Sequence, residues 1–186
     1  MSMRKFAIGA GMLAFACGAG MALAEGPDLG KPITPADLAP WDINVLPDGS
    51  NLPAGSGKAA DGAKIFADKC SVCHGDNGKG GIAGELVGGP PKASLDGGKT
   101  IANFWPAATT LFDYIRRAMP YTQPRSLSDQ EVYALTAYLL FVNKVIPEDM
   151  VLDEKSLPKV KMPIGEGYAR LPEWKHGAPR LTGYPY

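Results

Sequence analysis

The stretch Cys70-Ser71-Val72-Cys73-His74 constrains this chain more than any other. Two thiols separated by two residues, with a histidine directly after the second, have the spacing of c-type haem attachment. Both sulfurs become thioethers on the porphyrin, and the imidazole is carried beneath the iron. A dithiol redox pair or half of a zinc site would use the same cysteines, but neither gives the following histidine a role. Zinc would also need further thiol or imidazole ligands, and outside the leader the sequence holds only Cys70, Cys73, His74 and a distant His176. The motif therefore predicts one covalently attached haem c, held by Cys70 and Cys73, with His74 as an iron ligand.

Residues 1–24 read as a secretory signal peptide. Arg4 and Lys5 give a positive start, Phe6 to Met21 are almost wholly small or apolar, and Ala22-Leu23-Ala24 fits the small-residue cleavage rule, with cleavage near Ala24. Export to the periplasm agrees with the motif, because bacteria attach haem to cysteines outside the cytoplasm. The apolar run is shorter and richer in Gly and Ala than the ~20 residues of a comfortable membrane span. Leu13-Ala14-Phe15-Ala16-Cys17 makes a poor lipoprotein signal, so no stable membrane anchor is expected after cleavage. Without the leader, 17 basic residues face 19 acidic ones, a balance that speaks against nucleic-acid binding. No cysteine is left over for a disulfide, so packing and haem must supply the stability.

Four segments follow from composition and periodicity. Residues 25–56 hold six prolines and several Gly-containing turn signals, and read as an extended proline-rich N-terminal arm. From 57 to 146 a helical haem domain is expected. Ala59, Gly62, Ala63, Phe66, Ala67 and Cys70 recur at helical spacing, with Gly62 on the buried face marking a close helix crossing. Residues 75–100 are rich in Gly and Lys and read as the loop on the histidine side of the haem. A ligating imidazole normally donates its second N–H to a carbonyl or carboxylate, and Gly89-Pro90-Pro91 is the expected acceptor, unless it is an ordinary turn. Residues 147–186 carry six more prolines and read as a tail that wraps the domain or a partner.

A short helix is expected to start near Thr110 and to end at Met119-Pro120, where proline cannot continue it. Met119 then stands 45 residues after His74 at the mouth of a loop, where its thioether could be the sixth iron ligand. A methionine as core filler is the alternative, with Met150 and Met162 in the tail as further thioethers and His176 as a rival ligand. Ser128 to Glu131 forms a capping box with Leu127 and Val132 as its hydrophobic staple. The helix it opens runs to about Val145 and places Tyr138 beside Gly62 and Phe66, either filling the notch or serving as one more core aromatic.

The motif after a short helix, a ligand-type methionine before proline, and a closing helix with an inward aromatic resemble a class I cytochrome c over residues 57–146. A finer likeness is to the SoxD-type cytochromes that serve molybdenum sulfite and sulfur dehydrogenases. It is carried by Trp41-Asp42-Ile43-Asn44-Val45, Pro47-Asp48-Gly49, Leu52-Pro53, Phe104-Trp105-Pro106, the run from Ala108 to Pro120, Glu131 to Leu140, and Lys161-Met162-Pro163. The Gly-rich residues 76–98 and the single haem motif depart from that group.

The resemblance implies an all-α class I cytochrome c fold. It implies that Cys70 and Cys73 attach haem, that His74 and Met119 ligate it, and that Trp105 with Arg116 or Arg117 lies near the propionates. It further implies one-electron transfer by a periplasmic mono-haem protein that has no catalytic residue of its own. The donor would be a periplasmic molybdenum-containing dehydrogenase, and a downstream cytochrome or terminal oxidase would accept. The alternatives are a free-standing carrier, an acceptor for another dehydrogenase such as an alcohol oxidiser, and a haem enzyme with a labile sixth position.

Overall fold

The computed structural model describes residues 30–89, 98–165 and 176–177, and the chain divides into two units between Asp42 and Ile43. Residues 1–24, expected to be a signal peptide, the start of the arm, Pro90, Pro91, Trp174 and the last residues lie outside the described residues. In the first unit, α1 (Pro35–Leu38) is a single turn held by a reciprocal cap: Thr34 accepts the Asp37 amide, and the Asp37 carboxylate accepts the Thr34 amide at 2.8 Å. Hydrogen bonds from Thr34 also draw the Asp37 carboxyl below its ordinary value. Ile33, Leu38 and Trp41 are exposed.

The second unit runs in chain order through β1 (Ser56–Lys58), α2 (Ala59–Lys69), α3 (Ser71–His74) and a 3-10 turn at Asp76–Gly78. It continues with α4 (Ile101–Phe104), α5 (Ala108–Ala118), α6 (Asp129–Val142), β2 (Val151–Asp153) and a 3-10 turn at Leu157–Lys159. The helix α6 is at its centre. Every residue from Val132 to Leu140 is buried, so α6 is enclosed all round instead of along one stripe. Its start is the expected capping box: Ser128 accepts the Glu131 amide at 3.3 Å and Glu131 accepts the Ser128 amide at 2.8 Å. Leu127 and Val132 are buried beside the cap.

The helix α2 crosses α6 at close range, as Gly62 predicts. A Cβ there would meet the Ala134 carbonyl oxygen at 2.0 Å and the Tyr138 Cβ at 2.7 Å. Gly57 approaches the same residue, its missing Cβ lying 2.2 Å from the Ala134 nitrogen. Phe66 and Tyr138 pack with ring centroids 5.2 Å apart. On the other side of α6, Phe112 of α5 packs on Tyr133 at 4.5 Å.

Residues 43–58 and 146–164 pack within the second unit. The strands β1 and β2 pair antiparallel, Gly57 opposite Leu152, which adds a small sheet to an otherwise helical fold. The Val45 amide donates to Asp113 Oδ1 at 3.0 Å, Thr109 donates to the Pro47 carbonyl at 3.3 Å, and the Tyr133 hydroxyl donates to the Pro53 carbonyl at 2.9 Å. Gly49, at φ +89°, lies so close to Pro158 that a Cβ would stand 2.4 Å from its ring. Leu152, Leu157, Met162 and Ile164 of the tail are buried. Proline density reports that a segment lacks regular structure; it carries no sign of the side chains elsewhere that pin the segment down.

Candidate haem site

The haem motif forms one turn of chain at the end of α2. The Cys70 amide donates to the Phe66 carbonyl at 2.9 Å, closing α2, and the Cys73 and His74 amides donate to the Cys70 carbonyl at 3.2 and 3.0 Å. That turn aims both thiols and the imidazole into one cavity of about 440 Å³, within the usual range for cofactor sites. Its wall is largely apolar: Phe66 from α2, Ile115 from α5, Leu135 and Leu139 from α6, and Leu86 and Ala83 from the loop after the motif. Its rim carries Val72, Ile82 and Tyr121, exposed to 78%, 89% and 83%.

Cys70 and Cys73 are not joined to each other, and each is partly buried. Burial pushes the Cys70 thiol up to about 11, with Cys73 adding to the rise and Lys69 opposing it. A disulfide-exchanging pair depends on a lowered thiol pKa, so the environment of Cys70 runs against a redox dithiol. Among the described residues, no three His, Cys, Asp or Glu side chains stand together as a metal cage.

His74 Nδ1 lies 3.3 Å from the Gly84 carbonyl. A carbonyl can only accept, so the proton belongs on Nδ1 and the Nε2 lone pair is left for a metal. The expected acceptor, Gly89-Pro90-Pro91, is therefore replaced by Gly84; of that segment, Pro90 and Pro91 lie outside the described residues. The loop reaches His74 earlier because it folds back on the motif. The Gly80 amide donates to the His74 carbonyl at 2.9 Å and the Ala83 amide to the Cys73 carbonyl at 2.9 Å.

Met119 follows the last residue of α5, its amide donating to the Ile115 carbonyl at 3.1 Å, and it lines the same cavity as His74. The rival ligands stand elsewhere. Met162 is buried in the core beside the partly buried Met150, His176 is exposed, and none of the three lines the cavity.

The structure does not bring Trp105, Arg116 or Arg117 to the cavity wall. Trp105 packs edge-on against Tyr114 at 5.4 Å. Arg116 donates through Nε to Asp129 at 2.9 Å and through Nη1 to the Ile43 carbonyl at 3.3 Å. Arg117 grips both oxygens of Asp113, which raises the guanidinium pKa further. These arginines hold the arm through Ile43 and through the carboxylate that receives Val45. With Arg125 they line a separate pocket of about 140 Å³ that meets the cavity only through Leu127. Asp113, Gly84 and Leu86 carry roles that sequence reasoning missed. The apolar Ile82 and Leu86 within a Gly- and Lys-rich run were the only local signal of a cavity wall.

The family model described as Cytochrome c matches residues 59–143. The chain is 34% identical over 113 residues to a thiosulfate dehydrogenase of Stutzerimonas stutzeri, covering 59% of this chain and 35% of that protein. It is 34% identical over 96 residues to a thiosulfate dehydrogenase of Psychrobacter arcticus, covering 46% of this chain and 26% of that one. The chain thus spans about a third or less of these curated relatives' length. A chain of the sulfane dehydrogenase SoxCD from Paracoccus pantotrophus superposes with a TM-score of 0.70 at 34% identity, covering 87% of this chain and 83% of that chain.

Proposed function

We propose that this chain, which belongs to the cytochrome c family, binds one haem c at Cys70 and Cys73 and is the electron-accepting subunit of a periplasmic molybdenum sulfite or sulfur dehydrogenase. It is an electron carrier related to subunits of sulfur-oxidising dehydrogenases. The observation that carries the reading is one apolar cavity lined by both motif thiols, by His74 with its Nδ1 committed to Gly84, and by Met119.

Bound there, haem c supplies a ferric–ferrous couple that takes up and releases one electron at a time. The chain's own residues do the rest. Cys70 and Cys73 would hold the group by thioether bonds, and His74 would offer Nε2 to the iron. Met119 would supply a thioether, which favours the ferrous state and raises the potential relative to a second nitrogen ligand. Phe66, Leu135 and Leu139 exclude water. Val72, Ile82 and Tyr121 give the rim a largely apolar surface, with Lys69 as its charged member, suited to a small, transient electron-transfer contact.

The molybdenum partner rests on the likeness to the SoxCD structure, and export rests on residues 1–24. The part of the arm suited to docking on that partner is the first unit, where Ile33, Leu38 and Trp41 are exposed. Residues 43–56 brace the haem unit. The downstream acceptor is a further cytochrome or a terminal oxidase.

The test adds the oxidised protein to periplasmic extract of its host, supplies sulfite, thiosulfate or a simple alcohol in turn, and follows the reduced haem band. Prompt reduction with sulfite or thiosulfate alone supports the reading. Reduction by alcohol alone, or by none of them, removes the sulfur assignment.

The names of both curated relatives favour a second reading, a haem enzyme that itself couples thiosulfate. That chemistry needs an open or labile sixth position. Reduction of the purified protein by thiosulfate without extract, together with rapid cyanide binding to its ferric form, would select it.

A further inference from the structure

We propose that Asn143, the residue that closes α6, is a positioning residue for the axial histidine: it holds the loop whose Gly84 carbonyl accepts the His74 Nδ1 proton. This rests on the haem reading above. Asn143 Nδ2 donates to the Leu86 carbonyl at 3.2 Å and to the Leu139 carbonyl at 2.8 Å, while its Oδ1 accepts the Gly88 amide at 3.4 Å. One side-chain amide thus brackets Leu86 and Gly88 from the end of the most buried helix in the protein.

A helix cap would need only the bond to Leu139. The two bonds across 55 and 57 residues of sequence to Gly88 and Leu86 have no part in ending α6. Gly84 has no side chain to anchor it, and hydrogen bonds hold the chain on either side. Before it, the Ala83 amide is tied to the Cys73 carbonyl at 2.9 Å; after it, the Leu86 amide donates to Gly78 at 2.8 Å. The Leu86 carbonyl is shared by the Ile101 amide at 3.1 Å and Asn143, and among the described residues Asn143 alone ties Leu86 and Gly88 to α6 by hydrogen bonds. The Tyr138 hydroxyl, also on α6, reaches the same loop at Asn77 Oδ1, 3.0 Å away.

A hydrogen bond from Nδ1 to a well-held carbonyl raises the basicity of Nε2 as a metal ligand, which favours ferric iron. Loosening the Gly84 segment weakens that bond, so the midpoint potential rises. It also exposes the Nδ1 proton to exchange.

The experiment compares the intact holoprotein with Asn143→Ala and Asn143→Asp, measuring midpoint potential and, by NMR, solvent exchange of the His74 Nδ1 proton. For Asn143→Ala the expected result is a raised midpoint and roughly tenfold faster exchange. Asn143→Asp keeps the acceptor for Gly88 but turns a carboxylate oxygen toward the Leu86 and Leu139 carbonyls, so exchange should quicken there too. Because its added charge itself lowers the potential, exchange alone is its readout, and it stands as the test if Asn143→Ala does not accumulate as holoprotein. Unmoved potential and exchange overturn the proposal, even if the melting temperature falls, because that is the behaviour of a cap alone. An unaltered protein lacking a low-spin histidine–methionine spectrum would instead remove the ligand assignment beneath it.

Discussion

Gly62 lies against Ala134 so closely that a Cβ on the glycine would stand 2.0 Å from the Ala134 carbonyl oxygen. The atom in the way is backbone inside a buried helix, so it cannot move as a side-chain tip can. Because α6 also supplies Leu135 and Leu139 to the cavity wall, this contact sets the distance between the haem motif's helix and the opposite wall.

Replacing Gly62 with alanine should therefore destabilise the protein despite alanine's better helix propensity, worth about 1 kcal/mol. Overpacking costs on the order of 1–3 kcal/mol, and here the clash is with backbone, which puts it at the upper end, so a net loss of up to about 2 kcal/mol is expected. Denaturant unfolding of the holoprotein measures it. Gly84→Ala, where the added methyl meets nothing within 4 Å, is the contrast and should change stability little.

Met119→Ala should lower the midpoint potential and admit cyanide or imidazole to the ferric iron, read by potentiometry and by the Soret shift. Met162→Ala should leave the potential alone but cost about 2–5 kcal/mol, since Met162 is a core residue 5% exposed. A potential that falls with Met162 and not with Met119 would mean that the wrong thioether has been assigned.

Asp113 receives both the Val45 amide and the Arg117 guanidinium. Asp113→Ala leaves both without their acceptor, at a cost of roughly 3 kcal/mol. Proteolysis of the folded variant should then begin near Val45, a site protected in the parent protein.

Lys69 donates to Glu131 at 2.7 Å. The Glu131 carboxyl lies below its reference value of 4.5, mainly through that bond and then through the Ser128 amide. A lowered carboxyl pKa contributes stability that is present above 4.5 and lost as pH falls through the folded value. Lys69 is raised above 10.5 mainly by the same carboxylate, so its share is present below 10.5 and lost as pH rises through its folded value. The pair is partly exposed and worth no more than about 1 kcal/mol. The stability gap between the parent and Glu131→Gln, measured by denaturant unfolding, should be flat from neutral to mildly alkaline pH. It should close in acid.

Residues whose signal is local were legible in the sequence. The motif at Cys70 to His74, the capping box at Ser128 and the helix stop at Met119-Pro120 each need only a few neighbours to be read, and Gly62 marked its crossing by being a poor helix former on a buried face. What escaped was long-range and irregular. The strand pairing of Gly57 with Leu152, the pinning of Val45 by Asp113 and the Gly84 acceptor for His74 join segments without periodicity through single hydrogen bonds. The resemblance implies Arg116 or Arg117 near the propionates, whereas Asp129 and Asp113 engage the two guanidinium groups.

Intact mass under denaturing conditions reads directly whether one haem is bonded to Cys70 and Cys73. The protein recovered from the periplasm should carry the mass of one haem through denaturation, and the double variant Cys70→Ala, Cys73→Ala should carry none. An exported parent protein at the bare polypeptide mass, with both thiols free to alkylation, would contradict that attachment.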